Sequence, residues 1–293
     1  MVGQRSYDPR TDEYILIMSC PDRRGIVYAV AGCLAGRAGN ILDSQQFGDR
    51  YTGRFFMRVH FAAEDPTISR ADLEAAIGEL ADSFAMTWEL HPAGGRTRVL
   101  VVASREGHCV NDLLYRARSG ALPIDIPSVV SNHPDLGSLV ATYGVPFVHL
   151  PVTTETQTEQ ERRLLGIVEE QHIDLVVLAR YMRILSPEFC DRLAGRIINI
   201  HHSFLPSFKG GRPYRQAHDR GVKLIGATAH YVTADLDDGP IIEQEVARVD
   251  HALGPEQLAA VGRDLEAMAL ARAVRWHVEH RVLLNDGKTV VFA

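Results

Sequence analysis

The sequence predicts an α/β protein with two domains: an N-terminal ferredoxin-like α+β domain and a Rossmann-like domain with a mostly parallel sheet. The chain has 293 residues, enough for two domains of ordinary size. Elements in residues 14–90 follow the order strand, helix, strand, strand, helix, strand, whereas strands and helices alternate after residue 98. Pro92-Ala93-Gly94-Gly95 between them is small and helix-breaking. We therefore place the domains at residues 10–91 and 98–293, joined by a linker over 92–97.

Composition and charge exclude several classes of protein. Hydrophobic residues make up 46% of the chain and charged residues 23%, which is typical of a folded globular protein. The formal net charge of −6 argues against nucleic acid as a partner, because phosphate binding needs a basic surface. No signal-peptide core and no long apolar run is present, so we expect a cytoplasmic protein with no membrane partner. The four cysteines have no CxxC spacing, which predicts reduced thiols and no zinc site.

The N-terminal domain is predicted from apolar periodicity and turn signals. Asp22 is expected to cap the first helix, and Ser69 with Asp72 is expected to cap the second. The two middle strands are joined around residues 49–53, which predicts a hairpin. The predicted elements are strand Tyr14–Met18, helix Ile26–Leu34, strands Ile41–Phe47 and Arg54–Phe61, helix Ser69–Phe84 and strand Ala85–Leu90.

Buried-strand runs alternate with helical patterns in the second domain. The predicted strands are Arg98–Ala103, Ile126–Ser131, Pro146–Leu150, Leu175–Ala179, Arg196–His201, Gly226–Val232 and Ile241–Val246. The predicted helices are His108–Arg118, Leu136–Tyr143, Thr158–Gln171, Pro187–Leu193 and Gly254–His280. Residues 282–291 predict a short hairpin, and we expect the long helix before it to serve packing only. Ligands of such sheets bind at the carboxyl ends of the strands, where polar residues gather here.

The run Ile197-Ile198-Asn199-Ile200-His201 is a β-branched strand that ends in polar side chains. Alternate residues of a strand share a face, so Asn199 and His201 should project together. The later strand at 226–232 leads into a turn that contains Asp237. A carboxamide, an imidazole and a carboxylate suit acyl transfer from an amide-like carbonyl, because the reaction needs an oxyanion donor, a proton donor for the leaving nitrogen and a group that orients the nucleophile.

These motifs resemble the formyltransferase family that uses 10-formyltetrahydrofolate. The resemblance covers residues 98–285 and is carried by Asn199-Ile200-His201 with Ser203 and Leu205-Pro206, by Gly226, Thr228 and His230, and by Leu236-Asp237 before Gly239-Pro240. It implies a catalytic trio of Asn199, His201 and Asp237. In the implied mechanism Asp237 positions the nucleophile and tunes His201, while Asn199 and protonated His201 stabilise the oxyanion. His201 then protonates the departing nitrogen.

The segment Leu178–Ser186 is similar to the folate-binding segment of that family. The resemblance implies that the pterin ring lies in an apolar pocket and that substrate contacts are made by Met182, Arg183, Ile184, Leu185 and His230, the last of which also supports the trio. No cofactor is implied, since 10-formyltetrahydrofolate is the substrate. Three basic residues, Lys209, Arg212 and Arg215, could form a patch that binds a polyglutamate tail. A solvated loop explains them equally well.

Residues 10–90 resemble an ACT domain, a small-molecule sensing module, through residues 21–27 and Gly39-Asn40-Ile41. The resemblance implies an amino-acid effector near Asp22, Gly25 and Asn40, where NH groups at the start of the first helix are free to bind a carboxylate. An oligomerisation domain without a ligand fits equally well. Exposed strands of such domains commonly pair between subunits, so we expect a homo-oligomer.

The formyltransferase family contains both transferases and hydrolases. Members that formylate glycinamide ribonucleotide have a glycine-rich phosphate loop after the first strand, whereas this chain has Ser104-Arg105-Glu106-Gly107, and Glu106 would repel a phosphate. We therefore expect hydrolysis of 10-formyltetrahydrofolate to tetrahydrofolate and formate, which supplies formate for purine biosynthesis and one-carbon metabolism. The alternatives are a formyltransferase to an amine and a non-catalytic amino-acid sensor. A metal site formed by His201, His202, His230 and Asp237 is disfavoured, because neighbouring strand residues point to opposite faces.

Overall fold

The computed structural model describes residues 12–205 and 213–293. These residues form two compact units. Of the described residues, the first unit comprises those up to Gly95 together with His280–Asp286 and Val290–Ala293, and the second comprises those from Arg96 to Glu279 together with Gly287–Thr289. The units divide within the predicted linker at 92–97. The C-terminal hairpin, which the sequence places in the second domain, lies largely in the first unit instead.

The first unit is a four-stranded antiparallel sheet with two helices. Its strands are β1 (Asp12–Pro21), β2 (Gly39–Asp49), β3 (Arg54–Ala63) and β4 (Thr87–Pro92), in the order β2-β3-β1-β4. Its helices are α1 (Ile26–Ala35) and α2 (Arg70–Phe84). This order of elements is the predicted split βαβ pattern. The predicted cap of α2 is present as a capping box between Ser69 and Asp72. The prediction for α1 is wrong: Gly25, at φ 94°, precedes the helix, and no side chain caps it.

Both faces of this sheet are covered because residues of β3 alternate between two apolar cores. Met57 and Val59 pack toward the helices with residues of β1. Phe56, on the other face, is fully buried against Leu283 and Phe292. These two residues belong to the C-terminal segment that carries β13 (Val282–Asn285) and β14 (Lys288–Val291). Burial of Phe56 therefore explains why the hairpin joins the first unit.

The second unit contains an eight-stranded sheet that is mostly parallel, as predicted. Along the sheet the order is β12-β11-β10-β9-β5-β7-β8, and β6 pairs with β5. Its strands are β5 (Thr97–Ala103), β6 (Ile124–Asp125), β7 (Val129–Ser131), β8 (Phe147–His149), β9 (Leu175–Ala179), β10 (Ile197–His201), β11 (Leu224–Tyr231) and β12 (Ile241–Arg248). The pairs β10–β11 and β11–β12 are antiparallel, and the other described pairs of this sheet are parallel. The predicted strand Ile126–Ser131 is shorter in the structure, because its pairing with β5 begins at Val129.

Six helices accompany this sheet. They are α3 (His108–Ser119), α4 (Gly137–Ala141), α5 (Gln157–Glu170), α6 (Pro187–Arg192), α7 (Pro213–Asp219) and α8 (Pro255–Val278). Five occur where the sequence predicts them, and α7 is additional. The buried strands β5 and β9 form the centre of the sheet, which brings their carboxyl ends beside that of β10. Within the described ranges, no helix combines the length and apolarity needed to cross a membrane.

Candidate active site

The strand pair β10 and β11 sets the positions of the central side chains. Asn199 lies opposite His230, and His201 lies opposite Thr228. Since the side chains of a strand alternate between faces, Asn199 and His201 project to one face, together with His230 from the neighbouring strand. The sequence prediction that a carboxamide and an imidazole share a face therefore agrees with the register.

Asp237 reaches His201 from the turn that follows β11. Its Oδ1 lies 3.2 Å from His201 Nδ1 and 3.9 Å from His230 Nε2. The hydrogen bond from His201 lowers the pKa of Asp237 against the opposing effect of burial, so the carboxylate is ionised near neutral pH. Because His201 Nδ1–H donates to this carboxylate, Nε2 is the ring nitrogen left to interact with a ligand. That atom is buried and has no hydrogen-bond partner within the described residues.

The turn that carries Asp237 is tightly constrained. Asp237 has φ 54°, a left-handed conformation that is uncommon for residues other than glycine. At Gly239, a Cβ atom would lie 1.7 Å from the carbonyl oxygen of Tyr231. The Tyr231 amide donates to the carbonyl of Pro240 at 2.9 Å, which closes the turn. A glycine is therefore required for the backbone to return over β11 and present the carboxylate.

Hydrogen bonds of His230 fix the orientation of Asn199. His230 Nδ1–H donates to the Tyr231 carbonyl at 2.8 Å, which leaves Nε2 as an acceptor. Burial lowers the pKa of His230, so the ring is neutral. Asn199 Nδ2 lies 3.3 Å from this Nε2 and donates one of its two protons to it. The second amide proton of Asn199 can therefore be donated to an oxygen of a bound ligand.

A cavity of about 280 Å³ opens beside these groups. Its lining contains every residue that the sequence assigns to catalysis or substrate binding in this domain: Asn199, His201, Asp237, Met182, Arg183, Ile184, Leu185 and His230. Met182, Ile184 and Leu236 expose more than half of their surface. The lining thus combines exposed apolar side chains with the polar groups of Asn199, His201 and Asp237, as is typical of a ligand pocket.

Polar anchors on α5 and directly after β5 hold the segment that forms one wall of the cavity. The hydroxyl of Ser104 accepts the Met182 amide at 3.1 Å. Gln157 donates to the Ile184 carbonyl at 2.9 Å, and the buried Glu161 accepts the Ser186 amide at 3.0 Å. The backbone of residues 182–186 is therefore fixed from behind, while its apolar side chains face the cavity.

A second buried polar cluster adjoins the cavity, and the sequence analysis misses it. Glu266 on α8 is 1% exposed, and its carboxylate accepts from Tyr214 Oη at 2.6 Å and from His108 Nε2 at 2.7 Å. Arg180 Nε lies 3.3 Å from the same carboxylate. Burial would raise the pKa of Glu266, but these donors and the charge of Arg180 lower it overall. Helix α8, for which the sequence predicts packing only, therefore also carries a buried carboxylate with polar partners.

A signal for Glu266 exists in the sequence. The buried face of α8 includes Gly262, Leu265, Ala269 and Leu270, and Glu266 lies at helical spacing within it. A charged residue on an apolar stripe indicates a buried partner. The partners cannot be predicted from the sequence, because they come from three other elements of the fold.

The side chains of His108, Cys109 and Glu266 lie close enough to hold a metal ion. Their chemistry favours internal pairing instead. Glu266 already accepts two hydrogen bonds and faces the cationic Arg180, and burial raises the pKa of the Cys109 thiol well above its ordinary value. The ring centroids of His201 and His202 lie 4.9 Å apart, and both residues line the cavity. These two side chains therefore do not point to opposite faces, as expected of neighbouring residues in a strand.

The structure does not bring the three candidate effector residues together within one chain. Asp22 and Gly25 follow Pro21, which pairs with Arg54 in β3. Asn40 pairs with Ala62, at the other end of β3. Arg54 and Ala62 are eight residues apart in β3, which corresponds to about 27 Å along the strand. Asn40 therefore cannot share a small ligand with Asp22 and Gly25 of the same chain. Of the basic residues considered for a polyglutamate tail, Lys209 and Arg212 lie outside the described residues, and Arg215 is exposed.

Comparison with known proteins agrees with this geometry. Residues 97–274 match the formyl transferase family. The chain is 48% identical to the formyltetrahydrofolate deformylase of Corynebacterium sp. (strain P-1) over 95% of this chain and 97% of the relative. The crystal structure of a formyltetrahydrofolate deformylase from Pseudomonas syringae pv. tomato has a TM-score of 0.94 and 45% identity, and covers 98% of this chain and 96% of that chain. Glycinamide ribonucleotide transformylase 1 from Symbiobacterium toebii is 29% identical with a TM-score of 0.65, over 70% of this chain and 98% of that chain.

Proposed function

The chain belongs to the formyl transferase family, and from this membership and its full-length relatives we propose that it hydrolyses 10-formyltetrahydrofolate to tetrahydrofolate and formate. It is a hydrolase that acts on the carbon–nitrogen bond of the formyl group. The observation that carries the proposal is the contact of 3.2 Å between His201 and Asp237 beside a cavity that also contains Asn199.

Each member of the trio has a chemical role in this proposal. Asp237, ionised and partly buried, holds the attacking water and stabilises a proton on His201. The free amide proton of Asn199 and protonated His201 Nε2 donate to the oxygen that becomes negative in the tetrahedral intermediate. His201 then gives its proton to the folate nitrogen as the carbon–nitrogen bond breaks. No step requires a cofactor.

Features of the first βα turn support water over an amine as the acceptor. The turn between β5 and α3 carries Glu106, and His108 begins α3 with its Nε2 directed to the buried Glu266. Two carboxylates near this helix start would repel a phosphorylated acceptor. A transferase is therefore the weaker candidate. A sensor without activity is also disfavoured, because the trio is assembled beside a cavity.

For the N-terminal unit we propose an ACT-like regulatory or oligomerisation role. Ile41, Leu42 and Phe47 on the edge strand β2 are each at least 36% exposed. Exposed apolar edge strands readily pair with another chain, which supports a homo-oligomer. We also propose an amino-acid effector at Asp22 and Gly25. Asn40 of the same chain takes no part in this site. Light scattering that shows a monodisperse monomer would refute the oligomer.

We further propose that the enzyme works in the cytoplasm, where formate feeds purine biosynthesis and one-carbon metabolism. The four cysteines form no disulfide, which suits a reducing compartment.

The function is tested by incubating the purified protein with 10-formyltetrahydrofolate in the absence of any amine acceptor. We expect stoichiometric release of tetrahydrofolate and formate. Tetrahydrofolate formed without formate, and only after addition of glycinamide ribonucleotide, would identify a transferase. A stable folate substrate with no product under either condition would identify a non-catalytic protein.

A further inference from the structure

A run of buried polar groups connects His201 to the surface through residues that the proposed mechanism does not use. The ring centroids of His201 and His202 lie 4.9 Å apart, and those of His202 and Tyr214 lie 6.5 Å apart. The Tyr214 hydroxyl donates to Glu266 Oε1 at 2.6 Å. The run therefore leads from the cavity into the cluster around α8.

From Glu266 the run continues outward to solvent. His108 Nε2 lies 2.7 Å from Glu266 Oε2, and His108 Nδ1 lies 3.9 Å from Glu106 Oε2. The side chain of Glu106 is 53% exposed, whereas those of His108 and Glu266 are 16% and 1% exposed. Polar side chains thus follow one another from a buried imidazole to an exposed carboxylate.

Several polar atoms along this run have no hydrogen-bond partner among the residues that the structure describes. They are His201 Nε2, His202 Nδ1, Arg180 Nε and His108 Nδ1. The other three buried atoms of this kind belong to Thr52, Glu245 and Asn285. Buried polar groups are nearly always satisfied, commonly by ordered water. Three of the four belong to the imidazoles of the run, on His201, His202 and His108, and water molecules along it would satisfy them.

The proposed hydrolysis needs a route for a proton. A bond forms between the water oxygen and the formyl carbon, and the bond between that carbon and the folate nitrogen breaks. One proton of the water goes to the folate nitrogen. The second leaves formic acid, which is ionised near neutral pH like other carboxylic acids, and passes to His201 once that ring has protonated the folate nitrogen. Each turnover therefore leaves one proton at the buried imidazole, from which it must reach solvent.

We propose that His202, Tyr214, Glu266 and His108 form a hydrated relay that carries the product proton from His201 to Glu106 at the surface. This inference rests on the proposed hydrolysis and assigns a role to a cluster outside the catalytic trio.

The protonation states of the cluster suit a relay. Burial, aided by the charge of Arg180, lowers the pKa of His202 to about 4, so this ring is neutral near pH 7 and holds a proton only transiently. Burial and the neighbouring Glu266 raise the pKa of Tyr214, which keeps its hydroxyl protonated and able to pass a proton on. Glu266 is ionised and able to accept one.

The relay is tested with His108→Ala, which removes the partly exposed link. We expect kcat for formate release to fall at least tenfold while KM for the folate stays within twofold. Imidazole added to the assay should restore kcat in a saturable way, because a small base replaces the missing ring. His149→Ala, which changes an exposed histidine of β8, is the matched control and should leave kcat unchanged and insensitive to imidazole.

A second variant separates proton transfer from packing. Glu266→Gln keeps the shape of the side chain, and we expect a lower kcat, a larger solvent deuterium isotope effect and no response to imidazole. Wild-type kcat in either folded variant would overturn the relay. So would a loss in His108→Ala that imidazole does not relieve. If the wild-type protein releases no formate, the proposed hydrolysis is refuted instead.

Discussion

Replacing Asp237 with asparagine removes the charge that faces His201 and changes little else. The carboxylate lies 3.2 Å from His201 Nδ1, and its side chain is 13% exposed. Opposite unit charges about 4 Å apart attract by about 4 kcal/mol at an effective dielectric constant of about 20. Each 1.36 kcal/mol of lost transition-state stabilisation slows the reaction tenfold. Since His201 is protonated in the transition state, we expect kcat to fall by about 10²–10³.

The assay is formate release at saturating 10-formyltetrahydrofolate, with the fold checked by circular dichroism and thermal unfolding. KM should change little, because Asp237 acts on the water and on His201 more than on the bound folate. Asp264→Asn makes the same change at an exposed position of α8 that does not line the cavity, and it should retain normal turnover. A folded Asp237→Asn protein with kcat within threefold of wild type would refute the role of this carboxylate.

Three further substitutions test other parts of the account. Asn199→Ala should lower kcat by about 10²–10³ without loss of fold, as expected for an oxyanion donor, and normal turnover would show that another group stabilises the intermediate. Burial lowers the pKa of His202 to about 4, so the free energy of unfolding should fall by about 2–3 kcal/mol as pH falls from 7 to 4.5. In urea unfolding, His202→Gln should show a weaker dependence of this free energy on pH. A pH dependence equal to that of the wild-type protein would contradict this. Gly239→Ala places a methyl group 1.7 Å from the Tyr231 carbonyl oxygen and should destabilise the protein by about 3 kcal/mol or more. Gly166→Ala, which has open space around it, should be neutral or stabilising. Equal unfolding midpoints for the two variants would refute the steric argument.

Local signals in the sequence predict much of the fold. The strand Leu175–Ala179 has its predicted bounds because a short β-branched run lies between polar turns. The capping box of Ser69 and Asp72 fixes the start of α2. The shared face of Asn199 and His201 follows from strand parity. Each of these features depends on residues close together in the chain.

Features that depend on distant partners are not predicted. The C-terminal hairpin appears in the sequence as a turn between two short strands, but nothing local shows that Phe292 buries Phe56. In the same way, the pattern of α8 shows a carboxylate on an apolar stripe without showing that Tyr214 and His108 pair with it. The resemblance to an ACT domain groups Asn40 with Asp22, and only the register of β2 and β3 shows that they lie far apart.

The central claim is that water replaces an amine as the acceptor of the formyl group at Asn199, His201 and Asp237. Turnover of 10-formyltetrahydrofolate in ¹⁸O-labelled water, followed by mass spectrometry of the formate, tests it most directly. The account predicts one solvent oxygen in each formate, because a single water attacks the formyl carbon and the carbonyl oxygen is retained. Formate without solvent oxygen, or a formyl group recovered on an added amine at the same rate, would contradict it.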